Sequence, residues 1–406
     1  MRVFRPGAAV AAAILALLAT PSSVAGDNGQ LLVARGEIPE DRLIDIAIDL
    51  FAPGVSEGLP SSVLERKGIR TAVRKSESRY FPIHLRNTLQ STGQWGAVRV
   101  APGGASWAEV LVTGTITKSN GKDLALRVTA KDASGRVWVD RDYKQTADIA
   151  AYAKNRPVDG RDPFQVLYNL IANDLVRARD KLKPAQLVEV RDVARLRFAA
   201  GLASDPYAAY LVTSGKGRAR VQRLPAADDP MMARLGAIRD RDQMFVDTLN
   251  EYYADFYARM DKPYDDWRAY SFEEQKALDS INRSSLLKKI LGGAAILGGT
   301  ILDPQGNSGV RDIMIFGGIA AVESGFAEGK EGGIHKAALV ELADSFEGEV
   351  TPLVLDVDGK VVQLSGSVEV QFAQWRKLLQ DLAQTDAPLP QDINLISAAR
   401  PKVVQP

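Results

Sequence analysis

Between residues 43 and 183 the chain alternates between two periods of hydrophobicity. Leu43–Phe51 (LIDIAIDLF) is an apolar run closed by Ala52-Pro53-Gly54, which predicts a strand. Residues 54–78 are rich in glycine, serine and charge and predict a loop. Phe81, Leu85 and Leu89 then recur at four-residue steps, so Arg79–Ser91 predicts an amphipathic helix, stopped at Gly93. Strands are expected at 96–101, 109–118, 123–132 and 137–144, separated by the turns Ser119-Asn120-Gly121-Lys122 and Ala133-Ser134-Gly135-Arg136. A helix entered by Asp162-Pro163 and left at Lys183-Pro184 closes the series. Strand, helix, several strands and helix make an α/β sandwich with a mostly antiparallel sheet and helices on one face.

Beyond residue 183 the pattern is mainly helical. Helices are expected at 187–203 and along 231–260, with Leu235, Ile238, Phe245, Leu249 and Phe256 on one side. A connection starts at Pro206, and Pro263–Ser271 is expected to break the long helix before it resumes at Phe272. Residues 285–333 are different. Two apolar runs flank the turn-rich DPQGNSG, and the second carries Gly317, Ala321, Gly325, Gly329 and Gly333 at four-residue steps. The first repeats this more weakly with Ala294 and Gly298. On helices that spacing lines a groove where another backbone approaches closely. Each glycine costs about 1 kcal/mol relative to alanine inside a helix, so close packing must offset them. A glycine-rich helical hairpin is therefore expected, its seam closed within the chain, on a partner, on a second copy or at a membrane surface. A helix from Ile334, a small β-hairpin turning at Asp358-Gly359 and a helix over 368–382 follow.

The class is thus α+β, with these expected divisions: 1–25 signal peptide, 26–42 linker, 43–183 α/β domain, 184–284 helical domain, 285–333 glycine hairpin, 334–384 carboxy-terminal helix and β-hairpin, and 385–406 a Pro-rich disordered tail. The signal reading rests on Arg2 and Arg5, the apolar stretch Ala8–Ala19 and the cleavage-like Ser23-Val24-Ala25. Removing it takes away two arginines and no carboxylate, so the net charge moves from +1 to −1. No basic excess is left for nucleic acid. The chain has no cysteine, which excludes disulfides, thiol nucleophiles and thiolate metal sites. An exported chain without cysteine suits a bacterial periplasm.

Three short phrases punctuate the first domain: L-x-x-x-G-x-W at Leu89–Trp95, V-x-V-x-G-x-I at Val110–Ile116, and D-x-x-G-x-x-W at Asp132–Trp138. With the opening strand IDIAIDLF and the closing helix PFQVLYNLIANDLV, this stretch resembles the amino-terminal domain of the TolB family, and more loosely the related domains of CsgG and LpoB. The resemblance covers about residues 43–183. Nothing after it resembles the β-propeller that follows this domain in TolB. It implies an envelope protein that binds other proteins, with an exposed sheet edge for a partner strand, and it implies no enzyme and no cofactor.

Candidate chemistry is sparse. His84 and His335 are far apart and show no H-E-x-x-H spacing. Ser285–Lys288 spells S-x-x-K without its S-D-N and K-T-G companions. Asp356–Gly359 starts like a calcium loop, but Val361, Val362 and Leu364 stand at the later ligand positions. The richest polar-aromatic region is Arg239–Arg268, where Tyr253, Tyr257, Asp265 and Trp267 are candidates for holding a glycan such as peptidoglycan. The bland alternative is a charged surface beside an aromatic core stripe. The uncharged runs Ile290–Leu302 and Ile313–Val322 are 13 and 10 residues long. A spanning helix needs about 20, which leaves only peripheral membrane contact. The leading expectation is a non-enzymatic periplasmic protein that binds or assembles envelope proteins. A peptidoglycan-binding protein and a membrane-associated glycine-zipper protein are the alternatives.

Overall fold

A computed structural model describes residues 29–55, 58, 60, 64, 69–152, 162–203, 207–298, 337, 340–341, 353–357 and 360–384, with backbone alone at 149, 278, 281–298, 353–357 and 360–361. The fold is α+β. Strands β1 (Ile46–Ile48), β2 (Val98–Val100), β3 (Val110–Ser119), β4 (Asp123–Asp132) and β5 (Val137–Thr146) form one sheet in the order β2-β1-β3-β4-β5. Ile46, Ala47 and Ile48 are all fully buried, as a central strand covered on both faces requires. β1 runs parallel to both neighbours, whereas β3, β4 and β5 form an antiparallel meander. The sheet is therefore mixed, its longer ladders antiparallel as expected and its β1 ladders parallel. Helix α1 (Thr71–Ser91) is the reason, because the chain leaves β1, crosses through α1 and returns as β2 in the same direction.

Helices α1 and α2 (Gln165–Asp180) cover one face of the sheet, with Phe81, Leu85, Leu89, Leu167, Tyr168 and Ile171 buried beneath them. Over β3–β5 the opposite face presents Thr113, Arg127, Thr129, Asp140 and Asp142. Helix α3 (Pro184–Leu202), a two-stranded hairpin of β6 (Leu211–Thr213) and β7 (Ala219–Val221), and the long helix α4 (Pro230–Gly298) follow. Hairpin β8–β9 (Leu353–Val357, Lys360–Leu364) and helix α5 (Val368–Gln384) complete the described chain.

Three expectations differ from this. Helix α1 starts at Thr71, eight residues before the apolar period appears, because its first turns bury Arg74, Ser76 and Glu77 beside a single apolar residue, Val73. It also runs through Pro82. The missing proline N–H frees the Ser78 carbonyl, and the Phe51 N–H donates to that carbonyl at 2.9 Å. Helix α4 likewise runs unbroken through Pro263. The carbonyl freed there belongs to exposed Arg259, where water reaches it, and the buried stripe of Met260, Tyr264, Trp267 and Phe272 continues across the proline. Finally, β6 and β7 lie in the stretch expected to be a plain connection.

Buried side chains from Ile44 to Ala383 belong to one contiguous apolar cluster. The α/β layer, α4 and α5 thus share a core across the expected boundary at 183/184. A smaller cluster of Ala133, Val190, Val193, Ala194 and Ala219 lies under the β6–β7 hairpin.

Candidate functional site

The two edges of the sheet are treated very differently. The peptide groups of Val98 and Val100 point away from β1 at the β2 edge. Arg86 Nε and Gln90 Nε2 donate to the Val98 carbonyl at 3.2 and 3.3 Å. Asn250 of α4 accepts from the Val100 N–H at 2.9 Å and donates to the Val100 carbonyl at 2.9 Å. Its side-chain amide thus takes the place of a residue in a neighbouring strand. One turn earlier on α4, Asp247 holds Arg99 of β2 through both guanidinium nitrogens, at 2.6 and 2.9 Å. Helix α4 closes this edge.

The β5 edge is open. The Ala147 N–H donates to the Lys122 carbonyl, and the register pairs Leu124 with Gln145, Leu126 with Tyr143 and Val128 with Arg141. By antiparallel alternation, Arg141, Tyr143 and Gln145 bond to β4, while the peptide groups of Asp140, Asp142 and Lys144 aim outward. Among the described residues nothing bonds those outward groups. Helix α2 grips the inner face of the strand without covering this edge. Asp174 accepts from the Tyr143 hydroxyl at 2.7 Å and pairs with Arg141 at 2.8 Å. Burial, reinforced by Asp174, pushes the Tyr143 phenol far up, so it stays protonated. On the open face Arg127 bridges Asp140 at 2.6 Å and Asp142 at 3.4 Å. Charges beside a bare edge discourage indiscriminate pairing and leave room for a matched strand.

The residues expected to hold a glycan lie elsewhere, along the contact of α4 with α1 and α5. Tyr253 is 1% and Trp267 4% exposed, so both rings are packed rather than presented. The Tyr253 hydroxyl points at Glu369, which also holds Arg79 at 2.9 Å. Trp267 stacks on Tyr264, and Asp265 pairs with Arg268 at 3.2 Å. Tyr257 lies 2.6 Å from His84 Nδ1, and His84 Nε2 lies 3.0 Å from Gln165 Oε1. Because the Gln165 amide nitrogen donates to Thr88 and Asn169, its oxygen must accept from His84. Nε2 therefore carries the proton and Tyr257 donates to Nδ1.

Burial holds His84 below its usual value and lifts Tyr257 to about 12. Neither group is activated as a base or a nucleophile. Burial also raises Glu77, which accepts from Tyr264 at 2.7 Å and from Ser119. At Asp162, burial works to raise the carboxyl, but Arg268 at 2.6 Å outweighs it and holds the group down. The whole cluster is a largely self-paired polar clamp, with Glu77 Oε2 and Arg268 Nε left without a hydrogen bond among the described residues, and it pins α4 to α1 and to the entry of α2.

The three sequence phrases also resolve into packing. Gly114 is needed because the Phe51 ring lies against it, and a Cβ there would sit 2.6 Å from Phe51 Cδ1. Trp95 is buried beneath the Arg179 guanidinium at 5.0 Å. Asp132 accepts from the Ser134 hydroxyl at 2.6 Å, the Arg136 N–H at 2.9 Å and Trp138 Nε1 at 2.9 Å, which fixes the β4–β5 turn. Gly135 in that turn has φ +83° and meets the Gly217 carbonyl, so a side chain there would lift off the β6–β7 hairpin.

Of the glycine seam, Ala294 and Gly298 fall on the backbone of α4, and Gly317, Ala321, Gly325, Gly329 and Gly333 lie outside the described residues, as do residues 1–25. Among the described residues no three His, Asp or Glu side chains converge as metal ligands, and no helix is long and apolar enough to cross a membrane. Comparison with protein-family models, curated proteins and solved structures found no match. Sequence reasoning missed Asn250; it expected an exposed sheet edge but did not assign it to β5. The only signal for that assignment was the run Asp140-Arg141-Asp142 in a strand otherwise fit to pair.

Proposed function

We propose that this chain is a non-enzymatic binding protein of the bacterial cell envelope, which captures a protein partner by adding one of its strands to the edge of β5. The observation that carries the reading is the asymmetry of the sheet. One edge is sealed by Asn250, Arg86 and Gln90, while at the other the peptide groups of Asp140, Asp142 and Lys144 are unbonded among the described residues. A partner strand would satisfy them at about 0.5–1.5 kcal/mol net per hydrogen bond, with side-chain matching to the Asp140/Arg127/Asp142 array adding selectivity. Placement in the periplasm rests on the signal-like residues 1–25, and the resemblance of residues 43–183 to TolB-type domains points the same way.

The test is Asp142→Pro. Residue 142 makes no ladder bond to β4, so proline removes an outward N–H and the exposed carboxylate that pairs with Arg127 at 3.4 Å, and it blocks the incoming strand. Envelope crosslinking through a photoreactive residue at Lys144 should recover a partner with the wild-type chain. The proline variant should lose it while keeping its unfolding midpoint. Equal recovery from both chains would overturn the reading.

A further inference from the structure

The β6–β7 hairpin lies outside the main sheet and takes no part in the β5 edge. From Ala208 to Ala227 the sequence holds Lys216, Arg218, Arg220 and Arg223 and no carboxylate. Among the described residues none of these four cations makes an ion pair, whereas arginines such as Arg99, Arg127, Arg141 and Arg268 are paired. Arg218 Nε is buried without a hydrogen-bond partner.

The hairpin is nonetheless built rigidly. Its inner side, Ala219 with Leu211 and Val221, packs on Val190, Val193 and Ala194 of α3. The Ala219 N–H donates to the Ser134 carbonyl at 2.9 Å, and the Ser214 N–H and Gly217 N–H close the tip at 2.8 and 2.9 Å. Opposite the packed side, Val212 is cross-strand partner to exposed Arg220 and is itself 51% exposed. Leu224, next to Arg223, is 60% exposed. The hairpin thus presents three exposed cations, Lys216, Arg220 and Arg223, the last stacked over the Tyr210 ring at 4.7 Å, together with two bare aliphatic side chains.

We infer that this hairpin is a contact for an anionic lipid surface, independent of the β5 edge. Lys216, Arg220 and Arg223 would meet headgroup phosphates, and Val212 and Leu224 would enter the acyl boundary. An acidic protein would need carboxylates placed to match these cations. A fluid bilayer supplies phosphates wherever the cations stand, and it accepts the aliphatic side chains as well. Each cation near such a surface contributes about a fivefold gain in partitioning, so removing two should cost on the order of 30-fold.

The test is co-sedimentation of the full chain with vesicles of phosphatidylcholine alone or mixed with phosphatidylglycerol, at low and high salt. Binding is expected only with phosphatidylglycerol and should weaken with salt. The double variant Lys216→Gln/Arg220→Gln should bind on the order of 30-fold more weakly at an unchanged unfolding midpoint. Val212→Ser/Leu224→Ser should lower the binding that survives at high salt. Equal partitioning onto both vesicle types, or undiminished binding by the cation variant, would overturn the assignment. So would binding to soluble poly-glutamate with none to vesicles, which would make the surface one for acidic protein.

Discussion

Replacing Asn250 by alanine tests the claim that one side chain stands in for a missing strand. The residue is 3% exposed and its amide makes three hydrogen bonds, two to Val100 and one to the Val246 carbonyl at 2.7 Å. Alanine leaves the N–H and the carbonyl of fully buried Val100 without partners. Each orphaned group costs about 1–3 kcal/mol, so the expected loss is about 2–6 kcal/mol. That is a large part of a typical total of about 5–15 kcal/mol. Asn250→Asp is the sharper variant. It keeps the acceptor for the Val100 N–H but sets a carboxylate against two carbonyl oxygens, which raises its folded pKa above the unfolded value. Its deficit should therefore be smallest in acid and grow as pH rises through the folded pKa. Urea unfolding followed by tryptophan fluorescence gives the free energies, and hydrogen exchange gives the protection of the Val100 amide. A change under about 0.5 kcal/mol in Asn250→Ala, with that amide still protected, would refute the idea that α4 seals the edge.

Burial lifts Glu109 from 4.5 to about 7, against the Asp45 N–H at 3.0 Å and Arg191 at 3.6 Å, which favour its charged form. The folded state thus holds the proton more tightly. The associated stability, about 3 kcal/mol, is fully present below pH 4.5 and is lost as pH rises through about 7. Glu109→Gln keeps an acceptor for Asp45 and abolishes the titration, so its stability relative to wild type should improve across that window; parallel pH profiles would rule this out. Gly114→Ala forces a methyl into the Phe51 ring and should cost about 1–3 kcal/mol by thermal unfolding. Phe51→Leu should recover part of that loss in the double variant, and strict additivity would deny the contact. Gly325→Leu should weaken self-association or lower the melting point if the glycine spacing marks a helix seam, and unchanged sedimentation and melting would remove that reading.

How much the sequence discloses depends on what each element buries. Strands β3, β4 and β5 were legible nearly to the residue, because apolar and polar positions alternate and strong turns at 119–122 and 133–136 fix the register. The start of α1 was not, because the side chains it buries there are mostly polar, Arg74, Ser76 and Glu77, and the burial of Glu77 makes sense only once Ser119 and Tyr264 are known to meet it. Pro263 misleads for the opposite reason. A local rule says break, while a buried stripe from Met260 to Phe272 makes continuation the better packing. The β6–β7 hairpin escapes notice because its strands are three residues long and its one fully buried residue is an alanine, Ala219. At the candidate site, the charges of β5 were visible but the bareness of its edge was not, since a free edge is defined by what fails to pack there. Asn250 is silent in sequence, because a polar residue on a helix ordinarily signals solvent.

Helix α4 ties these features together. Asp247 and Asn250 hold β2, and seven and more residues further on Tyr257, Tyr264 and Arg268 enter the polar clamp with α1 and Asp162. The helix that seals one edge is therefore the helix the buried polar groups hold in place. Loosening the clamp frees α4, and freeing α4 unseals β2, so the cost of exposing a second pairing edge is set far from that edge. Among the described residues the sheet thus has one edge bare by construction and one that would be bared only if α4 lifted. Sealing one edge removes half of the surface on which unprogrammed strand pairing can start.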